Sequence, residues 1–129
     1  MFMESTYTVD PKDTRRFFEE RAHKRVEILA SRFESAWKDA HAIIRMIEKD
    51  YAPLRIWQWG SLLDQKHFSE ISDIDIAVEG ITDTEAFFEL YGKAQTLTSF
   101  PLDLIDLTRI EPVHADSIRN HGRLVYERT

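Results

Sequence analysis

Two aspartates, Asp73 and Asp75, stand one residue apart near the start of an alternating apolar run, SDIDIAVEG. On a β-strand, side chains two positions apart leave the same face, so these carboxylates are expected within a few ångströms of each other. Two such charges in a partly desolvated site repel each other, and the pKa of one rises unless a cation compensates. Magnesium prefers oxygen ligands and is commonly held by one or two carboxylates together with substrate phosphates. The pair therefore predicts a site for Mg²⁺.

A third carboxylate follows in the later run LDLID, at residues 102–106. Asp103 lies on one face of the strand that this run predicts, and Asp106 lies on the opposite face. If this strand lies beside the first acidic strand, Asp103 completes a cluster of three acidic side chains. Ala77, which is small and shares the acidic face of the first strand, is expected to leave room beside the cluster.

Gly60 and Ser61 end the apolar run that precedes the acidic strand. A glycine lets a phosphate approach the backbone, and a serine adds a hydroxyl and backbone N–H donors at the start of a short helix. Opposite carboxylates that hold a metal, these groups would clamp a nucleoside triphosphate for in-line displacement at phosphorus. An isolated pair of aspartates often lies on a solvated edge strand, so the three parts together are far more specific than any one of them.

A small α/β domain is needed to position these side chains. The apolar periodicity alternates between helix and strand spacing along the chain, and Gly or Pro residues separate most of the segments. The predicted order is helix, strand, strand, helix, strand, helix, strand, which favours a small sheet of about four strands flanked by helices. The predicted bounds are 12–50, 54–59, 73–79, 82–97, 102–107, 111–120 and 123–126.

The first helix is unusually long. Apolar residues recur at steps of three and four through residues 12–50 without an intervening Gly or Pro. One unbroken helix of this length would extend over more than about 50 Å, which exceeds the width of so small a domain. We therefore expect either two helices packed on the sheet or one helix with a projecting end. A projecting end that exposes Phe17, Phe18 and Val26 would be a contact surface for another chain, including a second copy of this one.

Composition narrows the class of protein. The chain has 129 residues and a net charge of −6, which argues against binding of long nucleic acid, because such binding usually needs a basic surface. No stretch approaches the roughly 20 apolar residues of a membrane span, and the N-terminal residues do not resemble a secretory signal. Cysteine is absent, so neither a disulfide framework nor a thiolate metal site is expected. We expect a cytoplasmic protein.

The stretch WGSLLDQKHFSEISDIDIAVEG followed by FPLDLIDL resembles the DNA polymerase beta nucleotidyltransferase superfamily. It is most similar to the small MNT-type, or minimal nucleotidyltransferase, members, and the closing IRNHGRLVYER extends the likeness. The resemblance covers roughly residues 54–126 and implies a small mixed sheet flanked by helices. We therefore predict one nucleotidyltransferase domain over residues 1–129, with residues 1–53 as a helical extension and residues 54–129 as the catalytic core.

The resemblance also implies roles for individual residues. Gly60 and Ser61 would hold the triphosphate, while Asp73 and Asp75 would bind two Mg²⁺ ions. Asp103 would complete one metal site and help to deprotonate the acceptor hydroxyl. The implied reaction transfers a nucleoside monophosphate, most often AMP from ATP, with release of pyrophosphate. Many MNT proteins are antitoxins paired with a helical HEPN-type ribonuclease, and some adenylylate a tyrosine of that partner.

The loop after Ser61 departs from the family pattern in two ways. Eleven residues, 62–72, separate the Gly-Ser pair from the first aspartate, where ten are usual. The family often places an arginine-rich turn after the serine, and this chain has Leu-Leu-Asp-Gln there. Lys66 and His67 are the cations that would substitute for the arginine. The alternative function is a binding module with weakened catalysis that neutralises a partner protein by contact alone.

Overall fold

The computed structural model describes residues 10–129 and confirms the predicted order of elements. Two single 3₁₀ turns, Gly60–Leu63 and Gln65–His67, occupy the loop after the first strand. The helices and strands are α1 Pro11–Tyr51, β1 Arg55–Trp59, β2 Ile74–Glu79, α2 Thr84–Thr96, β3 Leu102–Asp106, α3 Pro112–His121 and β4 Arg123–Glu127.

The four strands form one mixed sheet in the order β3-β2-β1-β4. The β1 strand pairs antiparallel with both β2 and β4, whereas β2 pairs parallel with β3. A parallel pair needs a crossover connection, and α2 supplies it between β2 and β3. The two acidic strands are therefore neighbours, which is the arrangement that a common carboxylate cluster requires.

Helices cover both faces of the sheet. One face of β2, formed by Ile74, Ile76 and Val78, packs in the main core with residues from α1 and α2. The other face packs beneath α3, where Ala77 contacts a small cluster that includes Ala115. Alternation along β2 thus places its apolar side chains against α1 and α2 and its acidic side chains on the face of α3.

The first helix is a single α-helix of 41 residues, so the alternative of a helix pair was wrong. Asp10 caps its start by accepting a hydrogen bond from the N–H of Lys12, and Pro11 fits the first turn. Ala52, in the left-handed region at φ 40°, ends it. The expected projecting end is present. In its first half the large apolar side chains are exposed: Phe17, Phe18, Val26 and Ile28.

The second half of α1 belongs to the core of the sheet. Its buried residues are Ala36, Ala40, Ile43, Ile44 and Ile47. The predicted division of the domain at residue 53 stays a prediction, and its first nine residues lie outside the described part of the chain. Within residues 10–129, no helix combines the length and the apolar character that crossing a membrane requires.

We predict that Ile43→Ala lowers the free energy of unfolding by about 2–5 kcal/mol, because Ile43 is fully buried and truncation leaves a cavity. The matched control is Ile28→Ala on the same helix, at a site 63% exposed, where a change within about 0.5 kcal/mol is expected. Urea unfolding followed by circular dichroism measures both. Equal losses would show that the two halves of α1 are packed alike.

Candidate active site

The three predicted carboxylates lie at one end of the sheet. Asp75 on β2 and Asp103 on β3 are direct partners in the parallel register. Partners on adjacent strands are about 4.8 Å apart and point to the same face. Asp73 precedes β2 by one residue and is close enough to act electrostatically on both of the others.

Burial and mutual repulsion raise the pKa values of two of these groups. Desolvation, followed by the charges of Asp103 and Asp73, raises the pKa of Asp75 from 3.8 to about 7. Desolvation and then the charge of Asp73 raise the pKa of Asp103. No cationic side chain contributes to either shift. The site therefore concentrates negative charge that only a bound cation or protons can compensate.

Gly60 is packed directly against this acidic cluster. Antiparallel pairing of Trp59 with Asp75 places the residue after β1 beside the Asp75 carboxylate. A Cβ atom at position 60 would overlap the Asp75 carboxyl group, and the backbone φ of +81° is one that side chains other than glycine rarely adopt. Glycine at this position thus lets the Asp75 carboxylate lie directly against the backbone, where the side chain of any other residue would clash.

Ser61 lies in the 3₁₀ turn that follows Gly60 and is half-buried. Its carbonyl accepts a hydrogen bond from the N–H of Asp64. The Asp64 carboxylate accepts from the N–H of Lys66 and pairs with His67 at 3.0 Å. Of the two cations proposed to replace the missing arginine, His67 is therefore already engaged by the acidic residue of the loop. Lys66 forms no ion pair within residues 10–129 and is the better candidate.

The donor set fits a hard divalent cation. Asp75 and Asp103 are register partners on adjacent strands, and no lysine or arginine of residues 10–129 contributes to the pKa of either carboxylate. Across residues 10–129, no group of three or more acidic or histidine side chains is preassembled at coordination distances. Magnesium requires only one or two carboxylates when substrate phosphates complete its shell, so the adjacent pair satisfies the requirement.

A cleft of about 400 Å³ opens beside the carboxylates, between the sheet and α3. We call it the α3 cleft. Asp103 and Gly60 line it where it meets the acidic cluster, and Trp59 and Ile105 line it on the sheet. The α3 side contributes six further positions, which are Ile110, His114, Ser117, Ile118, His121 and Gly122.

Glu79, at the far end of β2, fastens α3 to the sheet. Its carboxylate is nearly buried and accepts hydrogen bonds from the indole N–H of Trp57 at 2.6 Å and from Arg119 of α3 at 3.1 Å. Arg55 lies 3.6 Å from its other oxygen. Burial alone would raise the pKa of Glu79, but Arg119 and Trp57 outweigh it and hold that pKa below its usual value of 4.5.

Several features of the site differ from the sequence-based view. Ala77 does not leave open room beside the carboxylates, since it is fully buried under α3, where its small size lets the helix approach. The α3 cleft was not predicted, although the spacing of Ser117, Ile118 and His121 marks one helix face.

Asp106 is buried and accepts hydrogen bonds from the N–H and the hydroxyl of Thr108, so it closes the turn after β3.

Comparison with known proteins adds family information to this geometry. Residues 41–129 match the family model described as polymerase beta, nucleotidyltransferase. Among curated proteins, none matches the chain in sequence.

Solved structures resemble the chain over most of its length. A chain of a double mutant of the toxin–antitoxin MntA–HpeT is 25% identical, with 68% of this chain and 72% of that chain covered and a TM-score of 0.55. A chain of a toxin–antitoxin crystallised with AMP-PNP is 28% identical, with 67% and 72% covered and a TM-score of 0.54. The predicted resemblance to MNT-type proteins is thereby confirmed.

A third solved structure, of the tri-AMPylated HEPN toxin of Shewanella oneidensis in complex with an MNT antitoxin, is 23% identical. It covers 71% of this chain and 72% of that chain with a TM-score of 0.53, and at this identity the likeness shows the fold alone.

We predict that Gly60→Ala lowers the free energy of unfolding by about 2 kcal/mol or more, because it adds backbone strain and a clash with Asp75. The double variant Gly60→Ala/Asp75→Ala relieves the clash and is expected to recover part of the loss. In contrast, Gly92→Ala in α2 meets nothing within 4 Å and should stabilise the protein by about 0.5–1 kcal/mol. Thermal and urea unfolding measure all three. A Gly60→Ala protein as stable as wild type would contradict the close contact.

We predict that Glu79→Gln lowers the free energy of unfolding at pH 7 by about 1–3 kcal/mol, because a buried charged acceptor is lost. A folded-state pKa below the unfolded value contributes stability that is present above about pH 4.5 and is lost as the pH falls through the folded pKa. The difference between wild type and variant should therefore shrink in urea titrations carried out well below pH 4.5. A difference that stays constant with pH would contradict the ionised state of Glu79.

Proposed function

This chain belongs to the polymerase beta nucleotidyltransferase family, and on that premise we propose that it transfers AMP from ATP to the hydroxyl of a protein tyrosine, with Mg²⁺ as cofactor. We further propose that it is the antitoxin of a toxin–antitoxin pair whose other member is a helical HEPN-type protein. The observation that carries the proposal is the in-register pairing of Asp75 with Asp103, beside a glycine whose lack of a side chain lets the Asp75 carboxylate lie against the backbone.

Asp73, Asp75 and Asp103 are the residues proposed to hold magnesium. Two ions bound there would neutralise the acidic cluster and the triphosphate and would stabilise the charge that develops on the attacking and leaving oxygens. The absence of any lysine or arginine from the cluster supports this assignment, because the protein itself supplies no compensating charge.

Gly60 and Ser61 are proposed to hold the triphosphate. Gly60 has no side chain and lies against the Asp75 carboxylate, so a phosphate bound to a metal ion there would be close to its backbone, and the Ser61 hydroxyl makes no hydrogen bond to the described residues. Positioning of this kind is the main contribution that a protein makes to phosphoryl transfer. Lys66 is proposed to supply, in the loop after Ser61, the positive charge that an arginine often supplies in this family.

Asp103 is proposed to accept the proton of the acceptor hydroxyl. The hydroxyl oxygen then forms a bond to the α-phosphorus of ATP, the bond between that phosphorus and the bridging oxygen breaks, and pyrophosphate leaves.

The partner proposal rests on the complexes that similar structures form and on the shape of α1. Two of the similar solved structures, each at least 25% identical, are described as toxin–antitoxins. The first half of α1 lies outside the matched residues 41–129 and carries Phe17, Phe18, Val26 and Ile28 exposed. Apolar side chains grouped on a projecting helix are typical of a contact with another chain. Pairing of two copies through α1 is the competing arrangement, which the mass of the isolated chain in solution would reveal.

We predict that Asp75→Asn reduces AMP transfer at least about 100-fold while leaving the fold intact, because one oxygen ligand and half of the paired charge are lost. The assay incubates the chain with the proposed HEPN-type partner, Mg²⁺ and ATP labelled on the α-phosphate. The amount of label on the partner is then measured. Glu85→Gln, in the exposed first turn of α2, is the control that should leave transfer unchanged.

The outcomes separate the enzyme from the binding module. Labelling that survives in Asp73→Asn/Asp75→Asn at the wild-type rate would refute the metal assignment. Calorimetry in which wild type binds the partner tightly but binds no ATP with Mg²⁺ would favour neutralisation by contact alone. Mass spectrometry of the labelled partner identifies the acceptor, and AMP on a residue other than tyrosine would correct that part of the proposal.

A further inference from the structure

Two adjoining hollows lie between the projecting half of α1 and the turn at residues 68–72 that precedes Asp73. The first, of about 240 Å³, is lined by Arg21, Lys24, Arg25, Ile28 and Glu70. The second, of about 340 Å³, is lined by Leu29, Phe68, Ser69, Glu70 and Ile71. The hollows share Glu70 and adjoin along α1, so they form one groove, which we call the α1–turn groove. None of its residues lines the α3 cleft.

The turn holds its side of the groove in a fixed shape. Phe68 is buried in the main core and packs edge-to-face on Phe33 of α1, with ring centroids 5.4 Å apart. The Ser72 hydroxyl accepts a hydrogen bond of 2.8 Å from the N–H of Ser69, and the N–H of Ser72 donates to the Ser69 carbonyl. A partner that covers this turn therefore has little backbone to order.

Large apolar side chains of the groove face solvent. Ile71, in the middle of the turn, is 88% exposed, and Ile28 of α1 is 63% exposed. Leu29 and the buried Phe68 line the groove between them. Exposed apolar side chains grouped in a concave surface are typical of a site that another chain covers.

The α1 end of the groove is cationic, although the chain as a whole has a net charge of −6. Arg21, Lys24 and Arg25 line it, and none of the three forms an ion pair within residues 10–129. Glu70 is the single acidic residue among those that line the groove. The groove therefore complements a surface that is both apolar and negatively charged.

We propose that the α1–turn groove docks an acidic segment of the partner protein that also carries apolar side chains. The inference rests on the proposed function for the existence of a partner, and it adds the surface that binds the partner and the charge of the segment bound. Apolar side chains of that segment pack on Ile71 and Leu29, and its carboxylates pair with Arg21 and Arg25.

A second copy of this chain is the competing occupant. In a two-fold dimer the same surface of each copy meets itself, so the three cations of one groove would face those of the other. Like charges placed opposite each other oppose association, whereas an acidic segment of a different protein meets no such repulsion. The charge of the groove thus favours a different protein over a second copy.

A photo-crosslinking experiment identifies the occupant directly. The photoreactive amino acid p-benzoylphenylalanine replaces Ile71 in one protein and Phe88, which is 69% exposed on α2, in the control. Each is irradiated with the proposed HEPN-type partner in the absence of ATP, and mass spectrometry identifies the joined peptides. We expect position 71 to join a partner peptide that contains several Asp or Glu residues together with apolar ones, and position 88 to join about a tenth as much or less.

Calorimetry with the same partner tests the two halves of the groove separately. We expect Ile71→Ser and Arg25→Glu each to weaken binding about tenfold or more. Arg45→Glu makes the same charge change at an exposed position of α1 outside the groove and should bind like wild type. Added salt should weaken the binding of wild type more than that of Arg25→Glu. Circular dichroism checks that the variants are folded.

The remaining outcomes overturn the inference or separate it from the proposed function. A crosslink from position 71 to another copy of this chain, or a dimer in solution that Ile71→Ser dissociates, would assign the groove to self-association. A crosslinked partner peptide without acidic residues, wild-type affinity in both groove variants, or a wild type that binds no partner would also overturn it. Partner binding that depends on the groove, without any AMP transfer, would refute the proposed reaction and leave the docking surface standing.

Discussion

Repulsion between Asp75 and Asp103 is the constraint on which the rest of the structure depends. Parallel pairing of β2 with β3 fixes the two carboxylates side by side, and their partial burial reduces the screening by water. A sheet shaped for stability alone would carry Val or Thr at these positions. The apolar contacts of α1 and α2 on one face and of α3 on the other hold the strands in this register despite the repulsion.

The carboxylates at the two ends of β2 lie on the same face of the strand, but their pKa values are shifted in opposite directions. Asp75 and Glu79 are four residues apart and point to the side of α3. Arg119, Arg55 and the Trp57 indole surround Glu79 and hold its pKa below 4.5. Burial and then the charges of Asp103 and Asp73 raise the pKa of Asp75 to about 7, and no cation contributes to this shift among residues 10–129. Cationic side chains thus compensate the charge of Glu79, which fastens α3, whereas no cationic side chain of residues 10–129 compensates the charge of Asp75.

Local patterns in the sequence predicted most of the fold. The order of helices and strands and the alternation along β2 follow from periodicities of two and of three to four residues. Asp73 precedes β2, so the predicted common face of Asp73 and Asp75 stays a prediction. Periodicity also favoured a long first helix, and the width of a small domain suggested either a break, which the chain does not have, or a projecting end, which it has. The projecting half of α1 resolves that conflict, because its apolar side chains are not packed on the sheet.

Contacts between distant segments could not be predicted in this way. Nothing in the spacing of residues 112–121 shows that this helix covers Ala77, so the α3 cleft went unrecognised. The engagement of His67 by Asp64 depends on the tight 3₁₀ turn, which a pattern of polar residues does not specify. The contact of Gly60 with Asp75 arises from antiparallel pairing across a loop, and residue types alone give no register.

That contact also limits how the protein can change over evolutionary time. A side chain at position 60 meets the carboxyl group at position 75, so a viable replacement of the glycine needs a smaller residue at 75 in the same lineage. Such a descendant would lack both the Asp75 carboxylate of the acidic cluster and the glycine that packs against it. Replacement of the glycine is therefore expected only in descendants that have also replaced the aspartate at position 75.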